Sequence, residues 1–266
     1  MLIVAPTIAL IIGLLVWAGW QRRLSWNSKW EKHATQAMVW TAAGVILMSS
    51  AITGHTGIIA RWSVALGGIA FCAAVVRCCQ GWLLQILPEP AAKKKTFRWL
   101  IIPSAIGQII MLTTMALSGG LSMRGDHALI HYATDKPLPP IAKAWWITGG
   151  LLMVWLTSVA AKVLTVIRKD PPRRAVADTF LVATLAGFTL GPLTIAMAWI
   201  NHDEWIPVAA TILTAFWLGI YSLASVHSWQ ARMAPYKDLL DVIASPHEVH
   251  DAPYSRTTRI HDAPPL

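Results

Sequence analysis

Seven apolar stretches, each long enough to cross a bilayer, constrain this 266-residue chain more than any other feature of its sequence. They run over about 2–20, 35–53, 62–87, 99–120, 144–167, 176–200 and 206–226. A hydrocarbon core needs roughly 17–25 mostly apolar residues per helix. Lipid offers no hydrogen bonds to a bare backbone, so stretches of this length fold as helices. The gaps between them are polar, charged or rich in proline. The expectation is an all-α polytopic membrane protein of seven transmembrane helices. Composition agrees: 55% of residues are hydrophobic and 13% charged, against roughly a quarter charged in a soluble domain. A water-soluble globular enzyme and a disordered chain are both excluded. The 15 tryptophans suit sites where one end of a ring is dry and the other wet.

Charge gives the orientation. The first stretch has no basic residues before it and no small-x-small site ahead of Arg22 and Arg23, so it reads as an uncleaved anchor and not a signal peptide. Regions on one side carry 16 Lys and Arg: Arg22, Arg23, Lys29 and Lys32; Lys93–Lys95 and Arg98; Arg168, Lys169, Arg173 and Arg174; Arg232, Lys237, Arg256 and Arg259. The other side carries 4, namely Arg61, Arg124, Lys136 and Lys143. The positive-inside rule then puts the N-terminus outside and the C-terminus in the cytoplasm of a plasma membrane. The net charge of +9 follows from that topology and implies attraction to anionic inner-leaflet lipids. No nucleic-acid partner is expected, because the basic runs lie beside the spans and carry no binding-module motif.

Three charges fall within the spans, all toward the cytoplasmic side: Arg77, Lys162 and Asp178. Charges in hydrocarbon are costly and mark functional candidates. On one reading Arg77 and Lys162 snorkel to the interface while Asp178 complements a helix N-terminus. On the other, Asp178 forms a buried, switchable pair with Arg77 or Lys162. Gln80, Gln85 and Gln108 add polarity, and Gly187 and Gly191 have the spacing of a close-packing face. Pro103 and Pro192 remove backbone donors in mid-span and are expected to kink their helices.

Catalytic patterns are missing from the sequence. No glutamate lies in a span, and there is no nucleophile elbow, Walker sequence, dinucleotide fingerprint or His-Glu-x-x-His. The last span has no lysine for a retinal Schiff base. Haem ligands are not expected, since His33 and His227 sit at cytoplasmic ends and His55, His127, His131 and His202 in or beside outer loops. The outer histidines, with Asp203, form a possible external metal or proton site, weighed against ordinary solvated loops. Cys72 and Cys79 share a helical face, and small-residue packing is their default, with a thiol sensor as the alternative. No cofactor is expected. Residues 227–244 read as a juxtamembrane amphipathic segment, and 245–266, polar and Pro-rich, as a disordered cytoplasmic tail.

The order of spans, the long outer loop with His131-Tyr132-Ala133, the basic turn Pro171–Arg174 and the stretch from Arg232 to Leu240 carry a resemblance. Over about residues 1–243 the chain resembles an uncharacterised seven-pass membrane family of actinobacteria, often encoded beside helix-turn-helix regulators. Members of that family continue into a larger cytoplasmic domain, whereas this chain stops soon after its juxtamembrane segment. The resemblance implies a non-enzymatic membrane sensor or regulatory protein of unknown ligand, acting through a cytoplasmic regulatory partner. The alternatives are a small transporter or channel component, motivated by Arg77, Lys162 and the expected kinks, and a phage-type membrane exclusion protein.

Overall fold

The computed structural model describes residues 4–23, 26, 32–49, 57–117, 140–199 and 205–233, and in these every regular element is helical. Helix α1 is Val4–Gln21, α2 Lys32–Met48 and α3 Gly57–Ile86. Helix α4, Glu89–Thr96, runs through a π-helical turn, Phe97–Ile101, into α5, Ile102–Leu117. Helix α6 is Pro140–Ile167, a 3₁₀ turn covers Pro171–Arg173, α7 is Arg174–Met197 and α8 is Trp205–Met233. A compact unit closes at Ser228, and the last residues of α8 continue beyond it.

Four of these rods are long and apolar enough to cross a membrane: Trp62–Ile86, Glu89–Leu117, Lys143–Ile167 and Pro171–Met197. A shorter apolar helix covers Pro6–Gln21. The distribution of side chains is that of a protein solvated by lipid. Leu10, Leu66, Ile109, Leu117, Leu185 and Phe216 are exposed on the outer faces, while Thr41, Thr157, Thr184 and Ser222 are buried. So much exposed apolar surface is untenable for a monomer in water. Three of these hydroxyls show how they are satisfied within their own helices. Thr41 donates to the Ala37 carbonyl at 2.7 Å, Thr184 to Phe180 at 2.7 Å and Ser222 to Leu218 at 2.8 Å.

Several expected boundaries move. The fourth rod starts at Glu89, ten residues ahead of the expected 99, so the basic run Lys93–Lys95 lies on a helix and not in a loop. Alanines and lysines favour helix, and Pro90 is tolerated in a first turn. Glu89 and Lys93 pair at 2.8 Å across that turn. Helix α8 passes the expected end at 226 and takes in the start of the juxtamembrane segment, up to Met233. The rest of the juxtamembrane segment, 234–244, and the tail 245–266 lie outside the described residues.

Two helix pairs are clamped at glycines. In α2 and α3, a Cβ added to Gly67 meets Met48 Cγ at 2.3 Å and the Gly44 carbonyl at 3.1 Å. In α6 and α7, a Cβ on Gly150 meets the Gly191 carbonyl at 2.6 Å, and one on Gly191 meets the Gly150 carbonyl at 2.9 Å. Backbones in such contact admit no side chain between them, which is how small residues drive association in lipid. The expected close-packing face is present: Gly191 lies against α6, and Gly187 against Thr157 and Trp217.

Pro103 leaves a mark one turn upstream. Its ring nitrogen has no proton for the Trp99 carbonyl, and the helix widens to π-type over Phe97–Ile101. Trp155 of α6 fills the gap: its Nε1–H donates to that carbonyl at 2.8 Å. Trp155→Phe is therefore expected to cost about 1–1.5 kcal/mol, the upper range for hydrogen bonds between membrane helices. The cost should shrink in a Pro103→Ala background, where a backbone N–H returns. A double-mutant cycle of unfolding in detergent measures the coupling; additive costs would show that the bond does not substitute for the missing donor.

Candidate functional site

Between the clamped pairs lies a cavity of about 120 Å³. Met48 and Phe71 line it from α2 and α3, Met111 from α5, Gly149 and Thr194 from α6 and α7, and Trp217 from α8. Glycines make the room. A Cβ at Gly68 would stand 3.6 Å from the Gln108 amide, and one at Gly149 would stand 3.3 Å from Met111 Cε. The wall is rich in methionine and aromatic rings, soft surfaces that accept varied apolar shapes. Polarity in the wall comes chiefly from Gln108, whose Nε2 donates to Cys72 Sγ at 3.2 Å, and from Thr194, whose hydroxyl is used by the Leu190 carbonyl at 2.7 Å. An apolar cavity of about 150 Å³ binds benzene. This one has the size and chemistry to hold a small, mainly apolar molecule.

A second cavity of about 50 Å³ adjoins it, and Phe71, Val75 and Trp217 line both. Its wall includes Thr41, Thr157, Cys78 and Tyr221, whose hydroxyl donates to Cys78 Sγ at 3.0 Å. Cys72 lines the first cavity, and Cys78 and Cys79 the second.

The three charges read from the spans do not meet. Asp178 pairs with Arg168 Nε at 2.5 Å and lies 4.0 Å from Arg174 Nε. Of the two readings, the buried pair with Arg77 or Lys162 is not formed, and Asp178 stands in the first turns of α7 as the other reading has it. Asp178 lies one turn into α7 and faces the basic turn joining it to α6, and both members of the Arg168 pair are more than a third exposed. Arg77 is exposed and donates to Gln80 Oε1 on its own helix at 3.3 Å. Lys162 is exposed, with Nζ 5.3 Å from the Trp99 ring centroid. His55, His127, His131, His202 and Asp203 lie outside the described residues.

Sequence reasoning passed over Arg22. It reads as a loop cation, yet its side chain is 1% exposed, with Nη1 donating to the Ser225 carbonyl at 2.7 Å and Nε to Thr35 Oγ1 at 3.4 Å. The signal available was position: Arg22 directly follows an apolar helix whose last turn must dock.

His33, ahead of the expected second span, is also buried, and its Nδ1 has no hydrogen-bond partner among the described residues. Burial pushes its pKa below 6.5, and the positive charges of Arg77 and Lys32 push the same way. A depressed imidazole stays neutral in the fold while the unfolded chain takes up a proton. Stability is therefore expected to be level above about pH 6.5 and to fall as pH drops below it. Unfolding in detergent from pH 8 to 5 measures this, and His33→Gln should flatten the slope.

No family model, curated protein or solved structure matches the chain.

Proposed function

We propose that the chain is a seven-span, non-enzymatic sensor of the plasma membrane, with its N-terminus outside and its C-terminus in the cytoplasm. Its central cavity holds a small apolar molecule, and a cytoplasmic regulatory protein reads whether the cavity is filled. The observation that carries this reading is the cavity between two glycine-clamped helix pairs. Each pair is locked internally, so a molecule lodged between them acts on their relative position. A ligand shifts such an equilibrium by its difference in affinity for the two arrangements. The 16-to-4 bias in basic residues supports the orientation and the contact with anionic inner-leaflet lipids. The likeness to the actinobacterial seven-pass family supports action through a partner.

Two measurements test it. A cytoplasm-dependent reporter fused after Leu266 and an export-dependent reporter inserted after Lys136 should both be active; a silent C-terminal reporter would reverse the topology. Protein purified from native membranes in mild detergent should release a small apolar molecule on denaturation, and a regulatory protein should co-purify in proportion to that molecule. A second reading, a small transporter, is favoured by the wall of Phe71, Val75 and Trp217 shared by two adjoining cavities. Solute flux into vesicles that rises in Phe71→Ala would favour it.

A further inference from the structure

We infer that Lys95, Lys162 and Trp99 form a binding site for the phosphate of an anionic phospholipid headgroup. Two ammonium groups from different helices each lie over one indole: Lys95 Nζ is 5.6 Å and Lys162 Nζ 5.3 Å from the Trp99 ring centroid. Trp99 is fixed by its backbone as well as its ring. It stands in the π-helical turn ahead of Pro103, and its freed carbonyl is held by Trp155 Nε1–H of α6 at 2.8 Å. The same bond brings α4 and α6 together and so sets the spacing of the two lysines.

Both lysines are exposed, and no carboxylate among the described residues pairs with them. The carboxylates among the described residues have other bases: Glu89 pairs with Lys93, Asp170 with Arg173, and Asp178 with Arg168 and Arg174. An ammonium has three protons to donate, and an aromatic face offers charge attraction without a hydrogen-bond acceptor. Lys162 lies within an apolar rod, Lys143–Ile167, a little over a turn from its basic end. At that depth the surrounding medium offers headgroup phosphates as acceptors, and basic pockets between helices bind anionic headgroups. The ring edge of a half-buried indole suits the same boundary between dry and wet. Two cations without a carboxylate favour an anionic over a zwitterionic headgroup, whose own amine they would repel.

The inference rests on the membrane-spanning reading but not on its orientation or on the cavity. The test uses the full chain in nanodiscs of phosphatidylcholine, with phosphatidylglycerol as the minor lipid, followed by native mass spectrometry of retained lipid. Wild type should retain phosphatidylglycerol above its share of the bilayer. Lys162→Gln and Lys95→Gln should each reduce that retention about fivefold, the scale of one lysine's attraction to an anionic surface. Lys162→Arg should keep most of it. Lys94→Gln removes the same charge from the same helix without contact to Trp99, and should change retention less than twofold. Equal losses for Lys94→Gln and Lys95→Gln, or retention that mirrors the bilayer composition, would overturn the site. Displacement of the lipid by millimolar inorganic phosphate would also overturn it, by showing a free-anion site. Failure of the chain to enter nanodiscs would instead strike the membrane reading beneath it.

Discussion

Gly150→Ala and Gly191→Ala are each expected to destabilise the protein by about 3 kcal/mol, the upper end of what overpacking usually costs. At Gly150 the new methyl meets Ile195 Cγ1 at 2.5 Å and the Gly191 carbonyl at 2.6 Å. The side chain can turn aside, but the carbonyl cannot move without moving α7. At Gly191 the methyl meets Val154 Cγ2 at 2.5 Å and the Gly150 carbonyl at 2.9 Å. Relief at either position requires separating α6 from α7, and that separation distorts the cavity wall at Gly149 and Thr194. Gly13 and Gly19 provide the contrast, since a Cβ at either meets nothing within 4 Å. Alanine there should be neutral or stabilise by up to about 1 kcal/mol, because glycine weakens a helix interior. Thermal unfolding of the four variants in one detergent checks the order. Comparable losses at Gly13 and Gly150 would remove the clamp.

Arg22→Met should cost about 2 kcal/mol, whereas Arg23→Met, one residue on, should cost less than about 0.5 kcal/mol. Arg22 is buried, and its guanidinium ties the end of α1 to the Ser225 carbonyl of α8 at 2.7 Å and to Thr35 of α2. Methionine fills much of the same space but donates nothing, so the helix ends lose a charge-assisted bond that closes three helices together. Arg23 is exposed, 4.5 Å over the Trp20 ring, and water or headgroups replace that contact. Arg22→Lys should recover part of the stability, since an ammonium keeps the charge but lacks the planar fork of donors that reaches both Ser225 and Thr35. Equal effects at 22 and 23 would mean that Arg22 is a loop cation after all.

That pair of neighbours shows where sequence reading stops. Arg22 and Arg23 are the same residue in the same basic gap, and the difference is the angle at which α1 delivers each one to the bundle. The helical class was legible because a bilayer-length apolar run admits few other structures. The close-packing face at Gly187 and Gly191 was legible because a four-residue glycine spacing has a direct steric meaning. The start of α4 was not, because Ala91–Lys95 reads as a basic gap by hydropathy and as a helix by propensity. The partner of Asp178 was not, because reach across a turn depends on which side of α7 faces α6. The cavity is space left by glycines and methionines of α2, α3, α5 and α6, residues far apart in the chain, and no local pattern encodes it.

On the proposed function, the cavity between the two clamped pairs takes up a small apolar molecule. The most direct measurement of that uptake is the unfolding temperature in detergent with and without toluene, for wild type and Gly68→Leu. A Cβ at Gly68 sits in ordinary contact, 3.6 Å from the Gln108 amide, so the leucine fits the helix and extends into the cavity. A ligand that binds the native fold stabilises it by mass action, about 2.7 kcal/mol at a hundredfold excess over Kd. A rise with toluene is expected in wild type, and none beyond the detergent background in Gly68→Leu. Equal rises in both proteins, or no rise in wild type, would contradict the proposed uptake.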